Sequence, residues 1–194
     1  MCAPGVVHAP RGGAAVRVPY NIVMQTKLIL MSGLPGSGKS TIAERLSAAL
    51  SLPVLSVDPI EAAMWSGGIA REMTGIAAYT VACAIAREQL RLGLSVVVDA
   101  VNPVETVREM WRSLATVQRA RFLVIECSCS DMQLHKKRVE GRKRSIPGMN
   151  EVSWQRVEER RREYESWTDD RLVLDTAQGF EGVTDAAIAY ARNG

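Results

Sequence analysis

Apolar residues along this chain fall into two rhythms. Short runs rich in Val, Ile and Leu occur at 27–32, 52–57, 94–99, 121–127 and 172–176, and these read as strands. The run Val96-Val97-Val98 has no polar alternation, so it belongs to a strand covered on both faces, as in parallel sheets. Between the runs, apolar residues recur every three or four positions, the helical period. Residues 41–50 place Ile42, Leu46, Ala49 and Leu50 on one helical face. The spacing predicts a single long helix over 71–92, with a stripe of Met73, Ile76, Ala77, Thr80, Val81, Ala84 and Ile85 and a stop at Gly93. Asn102-Pro103 caps a helix carrying Val104, Val107, Trp111 and Leu114 on one side, with Trp111 as core. Ser130-Asp131-Met132-Gln133 opens another helix as a capping box. A charged helix over 151–167, anchored by Val152, Trp154 and Val157, and a last helix over 181–192 complete the pattern. Strands alternating with helices predict the α/β class, a parallel sheet with helices on both faces.

Residues 1–25 break the pattern. They hold Gly, Pro, Ala and Arg without a sustained period, and Pro10-Arg11-Gly12-Gly13 is a loop signal. A poorly ordered tail is expected there, with Met24 as a candidate alternative start, leaving 26–194 as one domain. At 194 residues the chain is long enough to bury a substantial core. Its net charge of +3 is too small to argue for a nucleic-acid partner, and no apolar run reaches membrane-spanning length. The cysteines Cys2, Cys83, Cys127 and Cys129 lack zinc or redox spacing; they read as buried or idle thiols of a reducing, cytoplasmic setting.

The most informative stretch is Ser32-Gly33-Leu34-Pro35-Gly36-Ser37-Gly38-Lys39-Ser40-Thr41. It fits the phosphate-binding pattern G-x-x-x-x-G-K-[ST], with a strand before it and a helix after it. A loop that wraps a phosphate must turn its N–H groups inward, which glycine does at least cost. Gly33, Pro35, Gly36, Ser37, Gly38, Lys39, Ser40 and Thr41 are therefore the candidate nucleotide-binding residues. Lys39 reaches the β- and γ-phosphates, Ser40 offers its hydroxyl to Mg²⁺, and the helix start adds a positive end.

Two carboxylates fall at strand ends, where open α/β sheets bind ligands. Asp58 follows the second strand; with Pro59 and Glu61 it also makes a good helix cap. Asp99 ends the third strand at a Walker-B-like position, suited to the Mg²⁺ shell or to substrate. Six Lys or Arg lie between Lys136 and Arg144, in and before a loop broken by Gly141, Pro147 and Gly148. This reads as a mobile lid, about 139–152, whose arginines close on the triphosphate. His135 pairs with no cysteine or carboxylate motif and receives no catalytic or metal role. The residues between Pro59 and Tyr79 that face an acceptor are apolar and small, which leans towards a compact, partly apolar substrate.

The phosphate loop, Asp58, Val97-Val98-Asp99 with Asn102-Pro103, and Arg138 with Arg142 together resemble the AAA_33-type, zeta-toxin-like group of small P-loop kinases. That group neighbours gluconate kinase, chloramphenicol phosphotransferase and the polynucleotide 5′-kinase domain. The resemblance runs from about Lys27 to the C-terminus. It implies a three-layer P-loop NTPase fold, a five-stranded parallel sheet of order 2-3-1-4-5 with a small lid, and ATP·Mg²⁺-dependent phosphoryl transfer to a hydroxyl of a small molecule. It also implies roles: Asp58 takes the proton of the attacking hydroxyl, Lys39 holds phosphate, Ser40 and Asp99 hold Mg²⁺, and Arg138 and Arg142 stabilise the transferring group. Which aspartate is base and which is metal ligand stays open. Residues 57–64 resemble the chloramphenicol enzyme, whereas Gly33-Leu34-Pro35-Gly36 is closer to the polynucleotide kinases, so the acceptor is open too. The competing readings are a 5′-hydroxyl nucleic-acid kinase, a nucleotide-binding regulatory module and a toxin acting on an activated sugar. The low charge and the 5% aromatic content weigh against the first.

Overall fold

The computed structural model describes residues 25–143 and 146–194; the tail expected at 1–25 lies, but for Gln25, outside them. Twelve elements follow in order: β1 (Lys27–Ser32), α1 (Lys39–Leu50), β2 (Val54–Ser56), α2 (Val57–Ser66), α3 (Gly75–Arg91), β3 (Val96–Asp99), α4 (Glu105–Gln118), β4 (Arg121–Ser128), α5 (Met132–Glu140), α6 (Trp154–Glu163), β5 (Leu172–Asp175) and α7 (Glu181–Asn193). The strands form one parallel sheet of order β2-β3-β1-β4-β5. This is the expected order, with β1 central and its phosphate loop at the point where the strand order reverses.

Alternation along β1 divides the core. Leu28 and Leu30 face one side with Val96, Val98, α3 and α4; Ile29 and Met31 face the other with Val97, Ile125, α1 and α7. All three valines of β3 are fully buried, as expected of a strand covered on both faces. Trp111 is fully buried among the first set.

Several local expectations shift. The long helix over 71–92 divides into a 3₁₀ turn, Arg71–Met73, and α3. Its buried face is Ala78, Ala82, Cys83, Ala86 and Leu90, while Met73 and Ile76 are 68% and 61% exposed. Two apolar stripes overlap on this helix. The one with small side chains turns inward because it lets α3 approach the sheet and α4 closely. Asp58 does not cap α2: Ser56 is the N-cap, with extended backbone, and Val57 is already helical and buried. Asp58 and Pro59 instead occupy the first turn, where a carboxylate meets the helix dipole and a missing N–H costs nothing. Asn102 does not cap α4, whose N-cap is Val104. The capping residue of α5 is Asp131 rather than Ser130; its side chain accepts from the amides of Gln133 and Leu134. The charged helix is shorter than 151–167: α6 starts after Ser153, whose hydroxyl accepts from Arg156 N, and stops at Glu163.

Candidate active site

The phosphate loop is held from several directions, and its glycines are required by what surrounds them. Gly33 has φ +133°, and a Cβ there would stand 2.2 Å from the carbonyl of Cys127. Gly38 has φ +88°, and its Cβ would meet the Phe180 ring at 2.8 Å. Gly38 is also the left-handed N-cap of α1, so the helix opens directly at Lys39. At the root of the loop, Ser32 Oγ donates to Val101 O at 3.0 Å and lies 2.7 Å from the Tyr164 hydroxyl. Asn102, in the left-handed region at φ 50°, is fully buried next to it. Its Nδ2 donates to Met31 O at 2.8 Å, and its Oδ1 accepts from Trp111 Nε1 at 3.0 Å. Asparagine tolerates this backbone better than most residues, and here its side chain ties the end of β1 to α4.

Two adjoining cavities share the loop. One, of about 200 Å³, is lined by Gly36, Gly38, Lys39, Ser40, Thr41, Arg138, Arg142 and Phe180. The other, of about 320 Å³, is lined by Ser40, Glu44, Asp58, Pro59, Asp99 and Arg142, with Val54, Ser56 and Ile146 at its edge. Ser40 and Arg142 belong to both. The candidate nucleotide residues thus line the first cavity, except Gly33, Pro35 and Ser37, of which Gly33 and Ser37 line a separate cavity beside Cys127 and His135. The two aspartates lie together in the second. Lys39 is 4% exposed.

Asp99 is 6% exposed. Ser56, its neighbour across β2 and β3, donates to Asp99 Oδ2 at 3.4 Å, and Asp99 Oδ1 is buried with no hydrogen-bond partner among the described residues. A buried carboxylate oxygen facing a cavity without a donor suits a cation. With the Ser40 hydroxyl it supplies the donors that Mg²⁺ takes from proteins, the rest coming from phosphates and water. Among the described residues there is no cluster of three or more His, Cys, Asp or Glu that could hold a metal.

The acceptor-side apolar residues do not form the surface expected of them. Ala62 is core, Met64 packs against core, and Met73 points outward. Trp65 is covered by the Arg71 guanidinium, 4.2 Å from its ring, and donates to Thr74 Oγ1 at 2.7 Å. Thr74 in turn donates to Glu61 at 3.0 Å. Near Asp58 the Tyr79 hydroxyl accepts from Asn102 N at 3.2 Å. Burial pushes its pKa up to about 12, with Asp58 and Glu61 adding to the rise and Arg160 opposing it.

Arg138 borders the first cavity, but its guanidinium is engaged elsewhere. It donates to Thr176 Oγ1 at 2.7 Å and Thr176 O at 3.0 Å, and lies 5.0 Å from the Phe180 ring centroid. Phe180 also has Arg45 at 5.4 Å. Thr176, Phe180, His135 and Tyr164 carry no motif; Thr176 directly follows β5, the one positional signal that could have pointed to it. Cys83, Cys127 and Cys129 are free and buried, and burial pushes Cys127 up to about 12; Cys2 lies outside the described residues.

The sheet order, the glycine-lined cradle at the central strand and the paired cavities define a P-loop nucleotide-binding protein. The family model AAA_33, described as an AAA domain, matches residues 28–167, and the chain belongs to that family. A protein of Aeropyrum pernix described as a probable adenylyl-sulfate kinase is 29% identical over 171 residues, covering 81% of this chain and 87% of the relative. A candidate kinase from Chloroflexus aurantiacus superposes with a TM-score of 0.72 at 23% identity, over 87% of this chain and 98% of that one. A gluconokinase from Sinorhizobium meliloti superposes with a TM-score of 0.63 at 21% identity, over 86% and 93%. No helix among the described residues is long and apolar enough to cross a membrane.

Proposed function

We propose that the protein is an ATP- and Mg²⁺-dependent phosphotransferase that moves the γ-phosphoryl group of ATP to a hydroxyl of a small molecule. The observation that carries this reading is the pair of cavities meeting at Ser40 and Arg142, with the phosphate cradle in one and two carboxylates in the other. The relatives named for adenylyl sulfate and gluconate act on different acceptors with one fold, so family membership supports the reaction class and leaves the acceptor to the second cavity.

In this mechanism the loop amides and Lys39 hold the triphosphate, with the base end towards Phe180 and Arg138. Ser40 and Asp99 would hold Mg²⁺, which would supply charge neutralisation for the triphosphate. Asp58, on the first turn of α2, orients the acceptor hydroxyl and takes its proton. The acceptor oxygen forms a bond to Pγ while the bond from Pγ to the β–γ bridging oxygen breaks, and ADP leaves. Arg142, common to both cavities, stabilises the charge of the group in transit. Arg138, bonded to Thr176, borders the nucleotide cavity and adds its charge from there. The segment 139–152, which delivers Arg142, serves as the lid. Asp99 Oδ1, buried without a hydrogen-bond partner among the described residues, supports giving Asp99 the metal, which leaves Asp58 as the base.

The test is ATP consumption with Mg²⁺ against a panel of sugar acids, nucleosides, aminoglycoside- and phenicol-like compounds and a 5′-hydroxyl oligonucleotide. Stimulation by a small hydroxyl compound, abolished in Lys39→Ala, is the expected result. Stimulation by the oligonucleotide alone moves the assignment to a nucleic-acid kinase. Nucleotide binding without turnover on any acceptor favours a regulatory module.

A further inference from the structure

We propose that His135 and Thr176 are positioning residues that aim the phosphate loop's amides at the nucleotide by holding the loop's carbonyls from behind. The inference rests on the reading of this loop as the nucleotide site and explains how this chain builds it.

The geometry starts with the peptide unit. No described peptide bond is cis, so each carbonyl points away from the amide of the same unit. His135 Nε2 lies 2.8 Å from Pro35 O. A carbonyl only accepts, so Nε2 carries the proton. With Pro35 O drawn back onto α5, the N–H of Gly36 is turned the opposite way, and Gly36 lines the nucleotide cavity. The same device recurs two residues later. Thr176 Oγ1 donates to Ser37 O at 2.9 Å, which turns the N–H of Gly38 forward into the same cavity. The loop thus has alternate carbonyls fastened behind and the following amides presented in front, which is the anion-binding nest.

Both clamps are set by arginines. Arg161 Nη2 lies 3.3 Å from His135 Nδ1. A guanidinium only donates, so Nδ1 is the acceptor, and the neutral Nε2–H tautomer is the one that serves both bonds. His135 is 2% exposed, and burial, with Arg161 and Arg138 nearby, lowers its pKa despite Glu158 and the Pro35 carbonyl. The ring is further seated edge-on against Trp154 at 5.2 Å. On the other clamp, Arg138 donates to Thr176 Oγ1 at 2.7 Å, which leaves the threonine proton for the carbonyls of Ser37 and Ser128. The loop is pressed onto α5 tightly: a Cβ at Gly36 would meet Val139 Cγ2 at 2.5 Å and His135 Cδ2 at 3.1 Å. A histidine with no motif partner and an arginine in a basic run therefore both serve the loop's shape.

Calorimetric titration of the full chain with MgADP tests this without needing the acceptor. Glutamine places an amide nitrogen near the Nε2 position, whereas asparagine reaches only the Nδ1 position. His135→Gln is expected to bind within about threefold of the unmodified protein, and His135→Asn and His135→Ala about tenfold more weakly, the loss of one hydrogen bond's net worth. Thr176→Ser should bind within about threefold, and Thr176→Val about tenfold more weakly. Leu46→Ala, a core change away from the clamps, controls for general loosening: it should lower Tm while leaving MgADP affinity within about threefold. Equal affinities for the Gln and Asn variants, or for the Ser and Val variants, overturn the proposal, as does an equal affinity loss in Leu46→Ala. Should His135→Ala not fold, the Gln–Asn comparison decides. No binding by the unmodified chain overturns the nucleotide reading and this inference with it.

Discussion

Arg108 offers a sharp test of how the site is supported. It is fully buried, at 0% exposure, and has no ion pair among the described residues. Its charge is met by carbonyls: Nε donates to Asn102 O at 3.0 Å, Nη1 to Ser166 O at 2.9 Å, and Nη2 to Glu165 O at 2.6 Å and Pro103 O at 3.2 Å. The guanidinium lies 4.0 Å from the Trp167 ring centroid and 5.2 Å from that of Tyr164. One side chain therefore fastens the segment after α6 to the turn before α4, both next to the root of the phosphate loop. Arg108→Met keeps the apolar stem and deletes the donors. Pro103 O retains the amide of Glu165, at 2.9 Å, but the other three carbonyls lose this donor. At about 1 kcal/mol for each carbonyl and about 1 kcal/mol for the lost ring contacts, less the relief of no longer burying a cation, the net loss is about 3 kcal/mol. For a domain of this size that lowers Tm by about 6–12 °C. Arg108→Lys should recover less than half, because one ammonium cannot span four divergent acceptors. The measurements are urea and thermal unfolding, with Trp167→Leu as the partner in a double-mutant cycle. A loss below about 1 kcal/mol for Arg108→Met, or full recovery by lysine, would refute this account of the buried cation.

Asp58→Asn should keep ATP affinity within a few-fold and lose about 10²–10⁴ in turnover. If turnover is nearly retained while stability falls by up to about 1 kcal/mol, Asp58 is only a first-turn charge on α2. Stability should also depend on pH through His135, whose pKa in the folded state is lowered from its ordinary value. Above about pH 6.5 both states hold neutral imidazole, and below that value the unfolded chain alone takes the proton, so stability falls as pH falls towards the lower folded value. Unfolding free energies measured from pH 7.5 to 5 should show this slope, and His135→Gln should flatten it. Asp175, lowered by bonds from Ser130 and Ala177, keeps its full stabilisation above about pH 4 and loses it only below that, outside the His135 window.

How much was legible from the chain depends on the range of the physics involved. The phosphate loop, the strand runs and the α/β alternation are local matters, decided by glycine conformations, side-chain branching and period, and they could be read directly. The sheet order was available only through the family resemblance that those residues carried. Asp58 and Asp99 could be placed at strand ends, yet the bonding of Asp99 could not be seen, because Ser56 reaches its Oδ2 only across β2 and β3. The stripe chosen on α3 was the wrong one of two, since periodicity measures phase without saying which face meets the sheet. His135, Thr176 and Arg108 were opaque for a stronger reason. Their partners Pro35, Ser37 and Glu165 are backbone carbonyls far away in sequence, and a carbonyl is identical at every residue. The residue pattern alone marked 33–41 as a phosphate-loop motif and showed that strands and helices alternate around it. Which side chains hold that loop in shape was decided only when the tertiary fold brought donors to carbonyls that leave no mark in the residue pattern.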